Sequence, residues 1–377
     1  MQTEKVIVVD LIRKKEEHQV FNDLTLKALS SVMKNIDCFL SEDSVLLDDI
    51  PKNIHVRKVK VARTKFYFWI KSTFYTAKIL MTNSRSKQKI IFLSATPFHY
   101  LFLSLASLFY RGDLYVFMHG ELGYLKNATG LGQKIGAKFI NIAFKFGRVN
   151  FICINAPIHD ILIGMYSNRK FLHIEHPIQN ISNKTSKEFS CITFGTFGIQ
   201  SRDKGSENIY DLAMLLQKKS MHSISLVTVG VSDGSFEYDQ SSDVIHYCRG
   251  LLSESLIPRA VFFEHVKKID VALLFNSNVG NAQKYDLVSS GVFADCISFS
   301  TPIIALRNKK LESYFKLYGE FGILCDNLYE MASAIEHISN NQELLNAYRN
   351  VLNRVQQIMR PEGYANIIRE KLSHEKS

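Results

Sequence analysis

Paired cysteines are missing from this chain. Its six cysteines (Cys38, Cys153, Cys191, Cys248, Cys296, Cys325) are scattered and form no CxxC. Most sit in apolar runs, so they read as reduced core residues of a cytoplasmic protein and not as a disulfide framework or a zinc site. Metal signatures are missing as well. No DxD follows a strand at a plausible site, and the histidines do not fall into ligand spacings. No G-x-G-x-x-G follows the first strand, which argues against a nicotinamide cofactor. The opening MQTEKVIVVDL carries an acid and a lysine before it turns into a strand, so it does not read as a secretory signal.

Acid is absent from a long stretch. None occurs between Asp49 and Asp113, while twelve Lys and Arg fall in that gap, with FYFWI (66–70), Phe74 and Tyr75 among them. Residues 1–150 hold 23 Lys/Arg against 12 Asp/Glu, and the remainder is nearly neutral at 23 against 24. Cations interleaved with rings suit a face resting on an anionic bilayer, where lysines reach lipid phosphates and rings settle at headgroup level. A solvated basic face over an aromatic core is the plainer alternative. Nucleic acid is not the expected partner, because no RNP, zinc-finger or helix-turn-helix pattern accompanies the charge.

The run IIFLSATPFHYLFLSLASLFY (90–110) is long enough to suggest a membrane span. Pro97 and His99 in its middle argue instead for a strand, a loop and a buried helix.

At 377 residues the chain has room for two domains, each with its own core. Strands are read at 5–11, 89–95, 113–120 and 150–156, then at 191–198, 223–230, 244–250, 271–278, 302–307 and 322–327. Helices separate most of them. Short apolar strands alternating with helices imply α/β architecture with parallel sheets covered on both faces. The expected organisation is an N-terminal domain over 1–177, a polar linker at 178–188, a C-terminal domain over 189–350, and a closing helix at 351–377 that returns to the first domain. Helices are also expected at 287–299 (LVSSGVFADCISF), at LYEMASAIEHIS and at QELLNAYRNVLNRVQQIM.

In open parallel sheets, ligands bind beyond the carboxyl ends of the strands. The loop GTFGIQSRDKGSEN supplies Gly198 for close backbone approach, then Arg202 and Lys204 as two cations ahead of a helix N-terminus, a combination suited to a diphosphate. In YDLVSSGVFADCISFSTPIIAL, Ser289, Ser290 and Gly291 offer hydroxyls and free N–H groups to phosphate, with Tyr285 just ahead. Asp295, about one helical turn beyond Gly291, could accept two ribose hydroxyls. In the first half, MHGELGYL places His119 and Glu121 after a strand, as candidates for the general base that a sugar hydroxyl needs. Asp10, His18 and His99 lie at strand ends on the acceptor side.

The glycine loop with its Arg and Lys, the strand–helix–strand that follows, and an acid seven residues before a Pro-headed strand resemble the donor domain of GT-B fold glycosyltransferases, notably those that build bacterial surface polysaccharides. That resemblance implies two Rossmann-like domains facing a cleft and a metal-independent transferase without a cofactor. The expected partners are a nucleotide-diphosphate sugar donor, a saccharide or lipid-linked saccharide acceptor, and the inner face of the membrane. It assigns Asp295 to the nucleotide ribose, and Arg202 and Lys204 to the phosphates. Many retaining members carry a Glu-x7-Glu pair. Here the first acid falls at Leu287, which leaves the stereochemical outcome open. A sugar-nucleotide epimerase of the same fold and a non-catalytic basic binding protein are the alternatives.

Overall fold

The computed structural model describes residues 5–12, 18–46, 50–61, 65–85, 87–179, 181, 191–219, 224–254, 257–276, 287–288 and 291–373. Two compact units divide the chain. The first comprises Met1–Gln179, Lys284–Ser289 and Ile358–Ser377, and the second Asn180–Gln283 and Ser290–Gln357.

The first unit is built on seven strands: β1 (Lys5–Asp10), β2 (Asn35–Ser41), β3 (Ile54–Val59), β4 (Lys89–Phe92), β5 (Leu114–Met118), β6 (Val149–Cys153) and β7 (Phe171–His173). They pair in parallel throughout, in the order β3-β2-β1-β4-β5-β6-β7. The central strands are unbroken runs such as VIVV and LYVFM because both faces are covered, so nothing selects polar residues on alternate positions. One face packs under helices Lys65–Asn83, Pro97–Ala106, Leu131–Lys145 and Ala156–Met165 through residues such as Phe68, Leu103, Phe144 and Leu162. The other packs under Gln19–Val32 and Pro361–Ser373 through Leu26, Leu29, Tyr364 and Ile368.

The second unit repeats the plan with β8 (Ile192–Phe197), β9 (Ile224–Val229), β10 (Val244–Tyr247), β11 (Val271–Leu274), β12 (Ile303–Leu306) and β13 (Gly322–Cys325), again all parallel, in the order β10-β9-β8-β11-β12-β13. Strand order reverses between β1 and β4 in one sheet and between β8 and β11 in the other. In doubly wound sheets, such reversals are where the crevices for ligands open.

Three expectations are corrected. The closing helix is not continuous over 351–377. One helix spans Gln342–Met359 and another begins at Pro361, whose ring and missing N–H end the first and suit the start of the second. The helix expected over 287–299 runs Gly291–Ser298, while Leu287 stands outside it, fully buried in the core of the first unit. Strands β2, β3 and β7 were not foreseen. β3 and β7 are sheet edges, β3 carries Arg57 and Lys58, and β7 has only three residues, so their apolar signal is faint.

The 90–110 run resolves into β4 and the helix Pro97–Ala106, as its proline suggested. Among the described residues no helix is long and apolar enough to cross a membrane.

Candidate active site

At the carboxyl end of the second sheet, β8 runs into Gly198, which holds φ 94°. A Cβ there would lie 3.1 Å from Val292 Cγ2, so the β8 loop and the first turn of helix Gly291–Ser298 touch. The loop continues into a short turn, Arg202–Lys204. The Arg202 side chain is exposed, while its backbone N–H donates to Ser235 Oγ at 3.0 Å. Lys204 is half-buried and donates from Nζ to the Ile199 carbonyl at 2.8 Å. Burial lowers its pKa, and the Asp233 carboxylate works against that shift.

Asp295 sits in the helix that this loop touches. Burial pushes its carboxyl up to about 7, and the Arg259 guanidinium draws it back. Arg259 opens helix Arg259–Val266 behind Pro258, with its guanidinium 4.5 Å from the Phe263 ring centroid. The sequence reading overlooked Arg259. Its signal was a Pro-Arg pair at a helix start in the connection between β10 and β11. Gly291 is exposed at the helix start. Tyr285, Ser289 and Ser290 lie outside the described residues.

In the first unit, the candidates separate into two groups. Asp10 is fully buried at the end of β1. Its carboxylate accepts Asn22 Nδ2–H at 2.7 Å, Ser94 Oγ–H at 2.5 Å and the Ile12 N–H at 3.3 Å. It therefore ties β1 to helix Gln19–Val32 and to the residues just after β4, a framework role. His99 is framework too. Buried in the first turn of its helix, it pairs through Nδ1 with Thr96 Oγ1 at 2.7 Å in a capping box. Burial holds its pKa down to about 4 against a hydrogen bond with the Ser72 backbone.

This second assignment predicts an acid-sensitive fold. Unfolded His99 takes up a proton near its usual pKa of 6.5, and folded His99 does so only near 4. The unfolded chain binds more protons between those values. Stability is therefore fully present above pH 6.5 and falls by roughly 3 kcal/mol as pH drops to 4. Urea unfolding across that range should show the decline in wild type and a shallower one in His99→Gln.

Glu121 and His119 come together by local bonding. Glu121 Oε1 accepts the Tyr100 hydroxyl at 2.5 Å and the His119 backbone N–H at 2.9 Å, which pins the Gly120–Leu125 turn onto helix Pro97–Ala106. His119, buried just after β5, donates from Nε2 to the Leu93 carbonyl at 2.8 Å. In the neutral ring this leaves Nδ1 as the basic nitrogen. The His18 ring lies 4.4 Å from the His119 ring, and both approach Phe21, which is also 5.3 Å from the His176 ring. His18 holds a left-handed φ of 57° at the cap of helix Gln19–Val32 and remains half-buried. Two residues a hundred positions apart in sequence thus form one imidazole pair at the carboxyl end of the first sheet. Among the described residues, no three His, Cys, Asp or Glu side chains gather as a metal site.

Two parallel α/β units of this order define the GT-B fold, and solved structures share it along nearly the whole chain. A HepE protein of Anabaena, in complex with UDP, superposes with a TM-score of 0.66 at 14% identity, over 98% of this chain and 99% of that one. WaaG, a glycosyltransferase involved in lipopolysaccharide biosynthesis, gives 0.60 at 11% identity, over 97% and 99%. A UDP-N-acetylglucosamine 2-epimerase from Listeria monocytogenes, itself assigned provisionally, gives 0.56 at 11% identity, over 100% and 96%. No family model matches the chain, and no curated protein matches it in sequence. The resemblance read from the sequence holds at the level of the fold.

Proposed function

We propose that this chain is a metal-independent glycosyltransferase. It moves a sugar from a nucleotide-diphosphate donor to a saccharide carried on a lipid, at the cytoplasmic face of the membrane, in the building of a surface polysaccharide. The observation that carries the reading is the acid at Asp295, seven residues before Pro302, on a helix that touches the Gly198 loop at the carboxyl end of β8. A nucleoside diphosphate fits such a place. Its ribose hydroxyls donate to Asp295, and its phosphates meet Lys204, Arg202 and the N–H groups at the start of helix Gly291–Ser298. Charge on the leaving diphosphate is then offset by cations and backbone dipoles already in place. On the first unit, the His18–His119 pair takes the proton of the acceptor hydroxyl. The UDP in the HepE structure and the involvement of WaaG in lipopolysaccharide biosynthesis support this reading.

The test is thermal stabilisation by UDP, GDP and ADP, with CMP as control, in wild type and in Asp295→Ala. A selective rise that the variant lacks is expected. No rise with any nucleotide would count against the donor site. The epimerase-like neighbour favours a second reading, in which the nucleotide sugar is converted with no acceptor present. Product analysis of donor alone separates the two.

A further inference from the structure

Large apolar side chains are exposed on one side of the first unit. Met81 is 73% exposed, Phe74 68%, Leu131 76% and Phe109 85%. All four belong to three consecutive helical segments that cover the same face of the sheet: Lys65–Asn83, Pro97–Ala106 with the turn that follows it, and Leu131–Lys145. Ring contacts show that the three helices adjoin. Trp69 lies 6.0 Å from Phe98, and Phe98 lies 5.0 Å from Phe139. The helices on the opposite face, Gln19–Val32 and Pro361–Ser373, expose no large apolar side chain among their described residues.

The outer two helices carry the same pattern. Ile70, Phe74 and Met81 are exposed at i, i+4 and i+11, and so are Leu131, Ile135 and Ile142. At roughly 100° per residue, each triplet falls in an arc of about 40°, a narrow apolar stripe pointing away from the sheet. Lysines flank each stripe. Lys71 and Lys78 are exposed beside the first, and Lys134, Lys138 and Lys145 beside the second. Between the stripes, the end of the middle helix and the turn after it add Leu105, Leu108 and Phe109, all exposed. None of the three helices contains an Asp or Glu.

We infer that this three-helix face docks in the plane of an anionic phospholipid bilayer. Stripes of this kind let apolar side chains enter the acyl boundary while flanking lysines stay at the phosphates. The absence of carboxylates decides between occupants. A second copy of the chain would set lysine against lysine, whereas an anionic lipid surface complements both elements at once. This placement extends the membrane-facing part of the proposed function and does not depend on the donor site.

The test is co-sedimentation of the full chain with vesicles of phosphatidylcholine alone and of phosphatidylcholine mixed with phosphatidylglycerol. Two variants are compared with wild type, Phe74→Ser/Phe109→Ser/Leu131→Ser and Lys71→Gln/Lys78→Gln/Lys134→Gln/Lys138→Gln. Wild type should bind the mixed vesicles, with binding that weakens as salt rises. Each variant should lose at least about tenfold in partition, the lysine variant chiefly its salt-dependent part. Thermal melting and the UDP-dependent rise should stay as in wild type, because every substituted side chain is exposed. A protein that ignores anionic vesicles at low salt, or variants that bind as well as wild type, would overturn the inference. So would concentration-dependent self-association that the variants abolish, since that would make the face a protein interface. Nucleotide binding is read separately, so a failed donor site and a failed membrane face give different results.

Discussion

Lys204→Ala should lower turnover by about 10²- to 10³-fold while leaving the fold intact, measured as release of nucleoside diphosphate from the donor that the thermal panel identifies. The ammonium is half-buried on a turn at the carboxyl end of β8, oriented by its bond to the Ile199 carbonyl and drawn toward charge by Asp233. A cation fixed before the reaction stabilises a departing diphosphate without reorganising, and its partly dry setting strengthens the effect. The rival role is local, with Lys204 doing no more than closing its loop onto Ile199. These roles separate cleanly. Loss of the loop tie lowers the melting temperature and leaves turnover per folded molecule alone, whereas loss of the phosphate contact does the reverse. Unchanged kinetics in the alanine variant would remove Lys204 from the donor site.

Gly230→Ala should destabilise the second unit by about 4 kcal/mol or more, the largest stability effect expected of a single methyl group here. Gly230 follows β9 with φ 142°, a conformation that side chains rarely adopt, and an added Cβ would lie 1.9 Å from the Gly198 carbonyl oxygen. No flexible side chain can yield, because the obstruction is backbone. The neighbouring ladder also resists movement, with the Gly198 N–H donating to Val229 at 2.9 Å and the Gly230 N–H to Tyr247 at 3.1 Å. The donor loop would be displaced along with the strand end, so nucleotide binding should fail together with stability. Gly291→Ala is the control. It meets no atom within 4 Å at the start of its helix and should melt as wild type does. Thermal melts of the two variants, with and without nucleotide, check both statements.

The sheets were legible in sequence because their central strands are buried on both sides and leave apolar runs such as KIIF and ITFGTF. Edges were less so, since a charged strand such as β3 resembles a loop. Which residues of the strand-end loops are free to act was not legible. Asp10 and His99 stand at strand ends in the sequence, and only the structure shows the framework bonds that each makes. The His18–His119 contact was hidden for a simpler reason. Residues a hundred positions apart meet only once β1 and β5 are aligned through β4. The nine exposed apolar side chains on the three helices were hidden as well. Composition shows where cations and rings gather along the chain, but only the helices show which of them face outward.

Helix Pro361–Ser373 has a consequence for the order in which the protein is made. Tyr364, Ala365, Ile368 and Leu372 complete a core whose other residues all come from the first half of the chain, and Lys89 Nζ donates to the Leu372 carbonyl at 2.8 Å. The ribosome must lay down the whole second unit before that helix exists. At roughly 5–20 residues per second, the wait is on the order of ten to forty seconds. Of the two units, the one that emerges earlier is therefore the last to be sealed, and throughout that interval the part of its sheet that this helix covers lies open to chaperones.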